Sequence, residues 1–141
     1  MATAKWATPS AVGSNILSTT ADSLANGSTS AFVEHDNSTN LDLYASVELD
    51  LGSLTPTTGA SITLRNFCSH GTSDPDNTGS VGGGDAYTQT LTTTTGAKKV
   101  IFPMVRLYPS PNQFCLTNNA GVALAASSNS LKIRPYNEQV V

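Results

Sequence analysis

Leu41-Asp42-Leu43-Tyr44-Ala45-Ser46-Val47-Glu48-Leu49-Asp50-Leu51 places an apolar residue at every odd position and a polar or amphipathic one at every even position. Successive side chains of a strand point to opposite faces, so the run predicts one long strand with a dry face and a wet face. It places Leu43, Val47 and Leu49 in a core and leaves Asp42, Glu48 and Asp50 wetter. A helix would scatter the same leucines around its circumference. A strand wet on one side belongs to an antiparallel sheet, and hence to a sandwich or barrel.

The composition points the same way. Thr, Ser, Asn and Gly make up 58 of the 141 residues, and these types favour turns and strands over helices. Charged residues are 12% of the chain, about half the usual share. The length suits one domain with one good core. A hydrophobic content of 38%, in alternating runs, argues against disorder.

Working outward, residues 1–14 read as a flexible arm with Trp6 as its large side chain, residues 15–136 as a β-sandwich domain and residues 137–141 as a tail. Ala21 to Ala25 suggests a helical turn, and Asn26-Gly27 a tight turn. Strands are expected at Thr29–Glu34, Ala60–Cys68, Ala86–Thr95, Lys99–Leu107, Gln113–Asn118, Val122–Ala126 and Leu131–Tyr136. Asn118-Asn119-Ala120-Gly121 reads as a hairpin turn. Pro103 cannot donate to a ladder, which puts a bulge or an edge there. The apolar residues of Val100–Leu107 fall at both odd and even positions, so both faces of that strand call for cover. The fold class is therefore an all-β, single-domain antiparallel sandwich of about eight strands, jelly-roll-like.

The formal net charge is −3, and the seven basic residues are scattered, with only Lys98-Lys99 adjacent. Such a chain lacks the basic patch of a nucleic-acid binder. No apolar run approaches the ~20 residues of a membrane helix, and Met1 to Trp6 lacks the apolar centre of a secretory signal. Synthesis in a cytoplasm is expected. Cys68 and Cys115 then read as reduced, packed residues with no disulfide between them.

Little in the chain spells chemistry. Asp74, Asp76, Asn77 and Asp85 cluster in a loop, but without the spacing of a calcium loop they read as a solvated acidic stretch. His35 beside Asp36, and His70, read as surface residues. Gly82-Gly83-Gly84 lacks the Lys and Ser/Thr of a phosphate loop. Asn26-Gly27-Ser28 and Asn37-Ser38-Thr39 match the glycosylation pattern, as chance predicts in so Asn- and Ser-rich a chain. No enzyme activity, cofactor or metal is expected. Tyr44, Tyr87, Tyr108 and Tyr136 are candidate partner contacts, and aromatic rings on a flat sheet face also bind sugars.

Three segments carry a resemblance. They are Trp6 with Ser14–Thr19 and Ser23–Gly27; Asp36–Ala45; and Asn119–Ser127 with Leu131–Glu138. Together they resemble the small virion proteins of tailed bacteriophages, in particular capsid decoration (cement) proteins. The resemblance implies a sandwich on the capsid surface, bound to the major capsid protein and stabilising the lattice. It also implies a homo-oligomer, with a trimer favoured, and no nucleic-acid or membrane partner. An alternative is a phage tail or fibre domain that binds host surface glycans. The partner-contact candidates are Trp6, Ile16, Pro103, Val105, Tyr108 and Tyr136. The arm and the tail are expected to reach neighbouring chains.

Overall fold

The computed structural model describes residues 2–69 and 84–140. The loop residues Asp74, Asp76, Asn77, His70, Gly82 and Gly83 lie outside the described residues. Nine strands run in chain order: β1 (Ala4–Trp6), β2 (Val33–His35), β3 (Tyr44–Leu54), β4 (Ser61–Cys68), β5 (Asp85–Thr90), β6 (Gly96–Arg106), β7 (Asn112–Asn119), β8 (Ser130–Tyr136) and β9 (Glu138–Val140). No helix occurs among the described residues.

All pairings are antiparallel. Four strands form a sheet in the order β2-β7-β4-β5, three form a second in the order β6-β3-β8, and β1 pairs with β9. Both larger sheets feed one hydrophobic cluster. Val47, Leu49 and Leu51 of β3, Phe102 and Val105 of β6, and Leu131 and Ile133 of β8 join Ile62 and Leu64 of β4 and Phe114 and Leu116 of β7.

The alternation holds from Ala45 to Leu51, where odd residues are buried and even ones partly exposed. It fails upstream. Leu43 is 50% exposed, and Asp42 is only 8% exposed. Asn37 is the cause. Its Oδ1 accepts from the Asp42 N–H at 2.9 Å, and its Nδ2 donates to the carbonyls of Asp42 and Tyr108, both at 2.8 Å. The Asp42 carboxylate accepts from Asn137 Nδ2 at 2.7 Å. Leu41 sits at φ 53°, so the chain turns before the strand begins, and the Leu43 backbone is held by Asn137 Oδ1, which accepts its N–H, and by the Leu107 N–H, which donates to its carbonyl.

Pro103 meets both sequence expectations. Its strand β6 is the outer strand of its sheet, and the register shifts there. Ala45 and Val47 pair with Val105 and Phe102, so Pro103 and Met104 together oppose Ser46. The extra residue resets the parity of the strand. Phe102 and Val105 both turn inward, while Pro103 and Met104 both turn out. The mixed apolar pattern of Val100–Leu107 records this shift.

Two local expectations are corrected, one strand and one helical turn. Val122–Ala126 is not a strand. Asn118 accounts for this: its Nδ2 donates to the carbonyls of Leu24 and Val122, and its Oδ1 accepts from the Ala120 N–H, all at 2.9 Å. These bonds curl the segment instead of extending it. The helical turn at Ala21–Ala25 is a series of tight turns, with Ser18 and Ser23 at positive φ. Gly52 is demanded by close approach, since a Cβ there would lie 2.4 Å from the Ser127 carbonyl oxygen.

The arm and tail pair with each other in the same chain through β1 and β9. The arm continues along the outer edge of β8. Ala7, Ser10, Gly13 and Ile16 donate their N–H groups to the carbonyls of Asn137, Pro135, Ile133 and Leu131 at 2.7–3.0 Å. The edge of β8 is thereby covered by its own chain.

Candidate functional site

The outer face of the β6-β3-β8 sheet carries the even residues of β3 and their cross-strand neighbours. Alternation fixes which side chains stand there, and the register decides which of them meet. Its two ends differ in chemistry.

One end is ionic. Glu48 and Asp50 lie opposite Lys132 and Ser130 on one side, and opposite Ile101 and Lys99 on the other. Lys99 reaches both carboxylates at 2.8 Å. Lys132 reaches Asp50 at 3.1 Å and Glu48 at 3.4 Å. The Lys99 ammonium, by hydrogen bonding, and then that of Lys132, hold the Asp50 carboxyl below its usual range against a smaller opposing effect of burial. Both lysines are held above their usual range, chiefly by Asp50. These four charges satisfy one another.

The other end is aromatic. Tyr44 and Tyr136 are directly opposite in the β3–β8 register and stack at 5.9 Å, with an interplanar angle of 26°. The β1–β9 pairing brings Trp6 onto them, edge to face, at 5.9 Å from Tyr44 and 5.4 Å from Tyr136. The Tyr136 hydroxyl donates to the Pro103 carbonyl at 3.0 Å. Burial, with a smaller contribution from Tyr44, raises the Tyr136 phenol above its usual range. Trp6 and Met104 each remain 51% exposed. They border a groove of about 390 Å³ lined by Ala7, Pro9, Ser46, Arg134 and Tyr136 as well. Arg134 is anchored there, its Nε donating to the Ser10 carbonyl at 2.9 Å. Apolar exposure continues along the molecule at Leu41, Leu43 and Ile101.

Of the six residues singled out from sequence, the structure brings together Trp6, Tyr136 and Pro103. Ile16 is partly buried against the core. Tyr108 stands elsewhere, its hydroxyl donating to Asp85 at 3.0 Å and its ring 5.8 Å from the Arg106 guanidinium carbon. Val105 is corrected: it is fully buried, because the bulge at Pro103–Met104 turns it inward. Sequence reasoning missed Met104 and Arg134. The proline inside an apolar strand was the signal that could have found Met104, since a bulge there sends two successive residues outward.

Cys68 and Cys115 are both free thiols. Burial pushes the Cys115 thiol up to about 11. Cys68 Sγ lies 3.0 Å from Ser110 Oγ. Among the described residues no group of three or more His, Cys, Asp or Glu converges on a point. No family model, curated protein or solved structure matches the chain.

Proposed function

We propose that this chain is a non-enzymatic virion structural protein, a head decoration protein that binds the outside of a major capsid protein lattice and stabilises it. The observation that carries the reading is the exposed aromatic end of the outer sheet face, where Trp6, Tyr44, Tyr136 and Met104 form one patch on a chain otherwise low in charge. Exposed apolar groups held rigidly at a surface are the anchors that interfaces use. The three resembling segments agree with this reading, and each supplies one residue of the patch, Trp6, Tyr44 and Tyr136 in turn.

The fold fits the role as a jelly-roll-like sandwich. The connections β2–β3, β3–β4, β5–β6, β6–β7 and β7–β8 each pass from one larger sheet to the other, and both sheets share one core. A small closed ring, a trimer, is the form that a site on a symmetric shell favours. Weak contacts repeated by symmetry then give avidity.

A second reading is a tail or fibre domain that binds host glycans. The half-exposed indole of Trp6 beside the stacked tyrosines favours it. Immunolabelling of virus particles with an antibody to this chain tests both readings. Label over the whole head is expected for a decoration protein. Label confined to a tail tip transfers the case to glycan binding, and particles without label overturn both.

A further inference from the structure

We propose that the groove between Trp6, Pro9, Met104 and Tyr136 receives a short acidic-apolar segment of a partner polypeptide, with an apolar side chain against the indole and a carboxylate on Arg134. This rests on the reading of the aromatic end as a docking surface and names the chemistry that it takes.

Charge decides one half of the argument. Arg134 is the charged residue of the groove lining. Its Nε is held by the Ser10 carbonyl, which fixes the plane of the guanidinium while its two terminal nitrogens keep their donors. Among the described residues no carboxylate lies within ion-pair distance of it. Lys99 and Lys132, on the same face, are each matched by both Glu48 and Asp50. The groove therefore holds a positioned cation that lacks the anion its neighbours already have, and a planar guanidinium fits a carboxylate.

Polarity decides the other half. A sugar ring carries a hydroxyl on most of its carbons, and each needs a partner when it is buried. The groove offers Ser46, Arg134 and the acceptor side of the Tyr136 hydroxyl, whose proton is already given to the Pro103 carbonyl, too few partners for a ring of hydroxyls. Its other walls are Trp6, Ala7, Pro9 and Met104. A methionine thioether adapts to side chains of varied shape. The indole is held by two ring contacts, so little ordering is lost when a side chain docks against it.

Trp6 is the chain's single tryptophan, so its fluorescence reports the groove directly. The full chain is titrated with acetyl-Ala-Leu-Asp-Ala-amide, with the same peptide carrying Asn for Asp, and with methyl glucuronide. A saturable emission shift is expected with the acidic peptide. Binding should weaken about fivefold with the Asn peptide or with Arg134→Gln, the size of one partly screened ion pair. Arg134→Lys should restore part of the loss, and unchanged circular dichroism would show that the variants fold. Equal binding of the two peptides, a response to the glucuronide alone, or no saturable response overturns the inference. A chain that labels the head of the particle yet ignores the peptide loses this inference and keeps the decoration reading. One that binds the peptide but labels no particle does the reverse.

Discussion

Asn37, Asn66, Asn112, Asn118 and Asn129 are each less than 5% exposed, in a chain whose polar composition suggests surface. Each works as a staple. Asn129 shows the pattern: its Nδ2 donates to Asp22 and to the Ala125 carbonyl, and its Oδ1 accepts from the Gly52 N–H. Asn112 similarly closes the turn before β7 through Tyr108 and Ser110. An amide carries both donors and acceptors, so one side chain can satisfy several loop backbone groups. Asn37→Ala would leave the Asp42 N–H and the Asp42 and Tyr108 carbonyls without that partner. The expected loss is about 3 kcal/mol, read by urea denaturation, since each buried unsatisfied group costs roughly 1–3 kcal/mol. An unchanged midpoint would deny the staple its role. These residues were invisible in the sequence because a buried asparagine and a turn asparagine are the same letter. Only the contacts across the fold distinguish them. Val47 was legible, and it is fully buried. Val47→Asp should cost several kcal/mol, on the order of a buried unpaired charge, and a wild-type melting temperature would contradict its placement.

Strands were legible where a period of two ran unbroken, as in β3 from Ala45 onward. They were not legible where side-chain bonds overrode local pattern, as at Leu43 and Val122–Ala126. The bulge at Pro103 was half legible: the proline gave the site, but the parity reset needed the register with Ala45 and Val47. At this scale the charged end of the outer face makes a pH prediction. Lys99 first, then Lys132, holds the Asp50 carboxyl below its ordinary value near 3.8. A depressed carboxyl adds stability above its unfolded value and loses it as pH falls through its lower folded value. Asp50→Asn should therefore melt below wild type at neutral pH, and the gap should close as the pH drops below about 4. The gap should also shrink with added salt, because both lysines are open to solvent. A gap that stays constant down to pH 2 would remove the ion pairs as its source.

Across the whole molecule, the ends of the chain do two jobs at once. The arm covers the edge of β8 by hydrogen bonds from Ala7, Ser10, Gly13 and Ile16, and it delivers Trp6 to the tyrosine pair. The sequence marked the arm by its lack of periodicity, and it marked Trp6 by its isolation. The pairing of β1 with β9 was beyond it, because three-residue strands leave no pattern to read. With the thiols free, reductant should leave the mass in light scattering unchanged, and a drop in mass would restore an intermolecular disulfide. The last prediction follows from how the arm is held. Residues 2–15 are exposed apart from Ala7, which is partly buried, and the first fully buried residue is Leu17. The core cluster contains no residue before Ile16. Deleting Ala2 to Pro9 therefore removes the pairing of β1 with β9 and the Ala7–Asn137 bond but almost none of the core, so the domain should still unfold cooperatively. The same deletion takes away the indole and one wall of the groove, and it leaves β9 without its partner strand. On the decoration reading proposed above, capsid binding should weaken strongly, and the truncated chain, with β9 unpaired, should self-associate more readily, as bare strand edges do. Sedimentation with capsids and light scattering of the free protein read the two effects separately. Undiminished capsid binding by the truncated chain would remove the aromatic end from the docking surface.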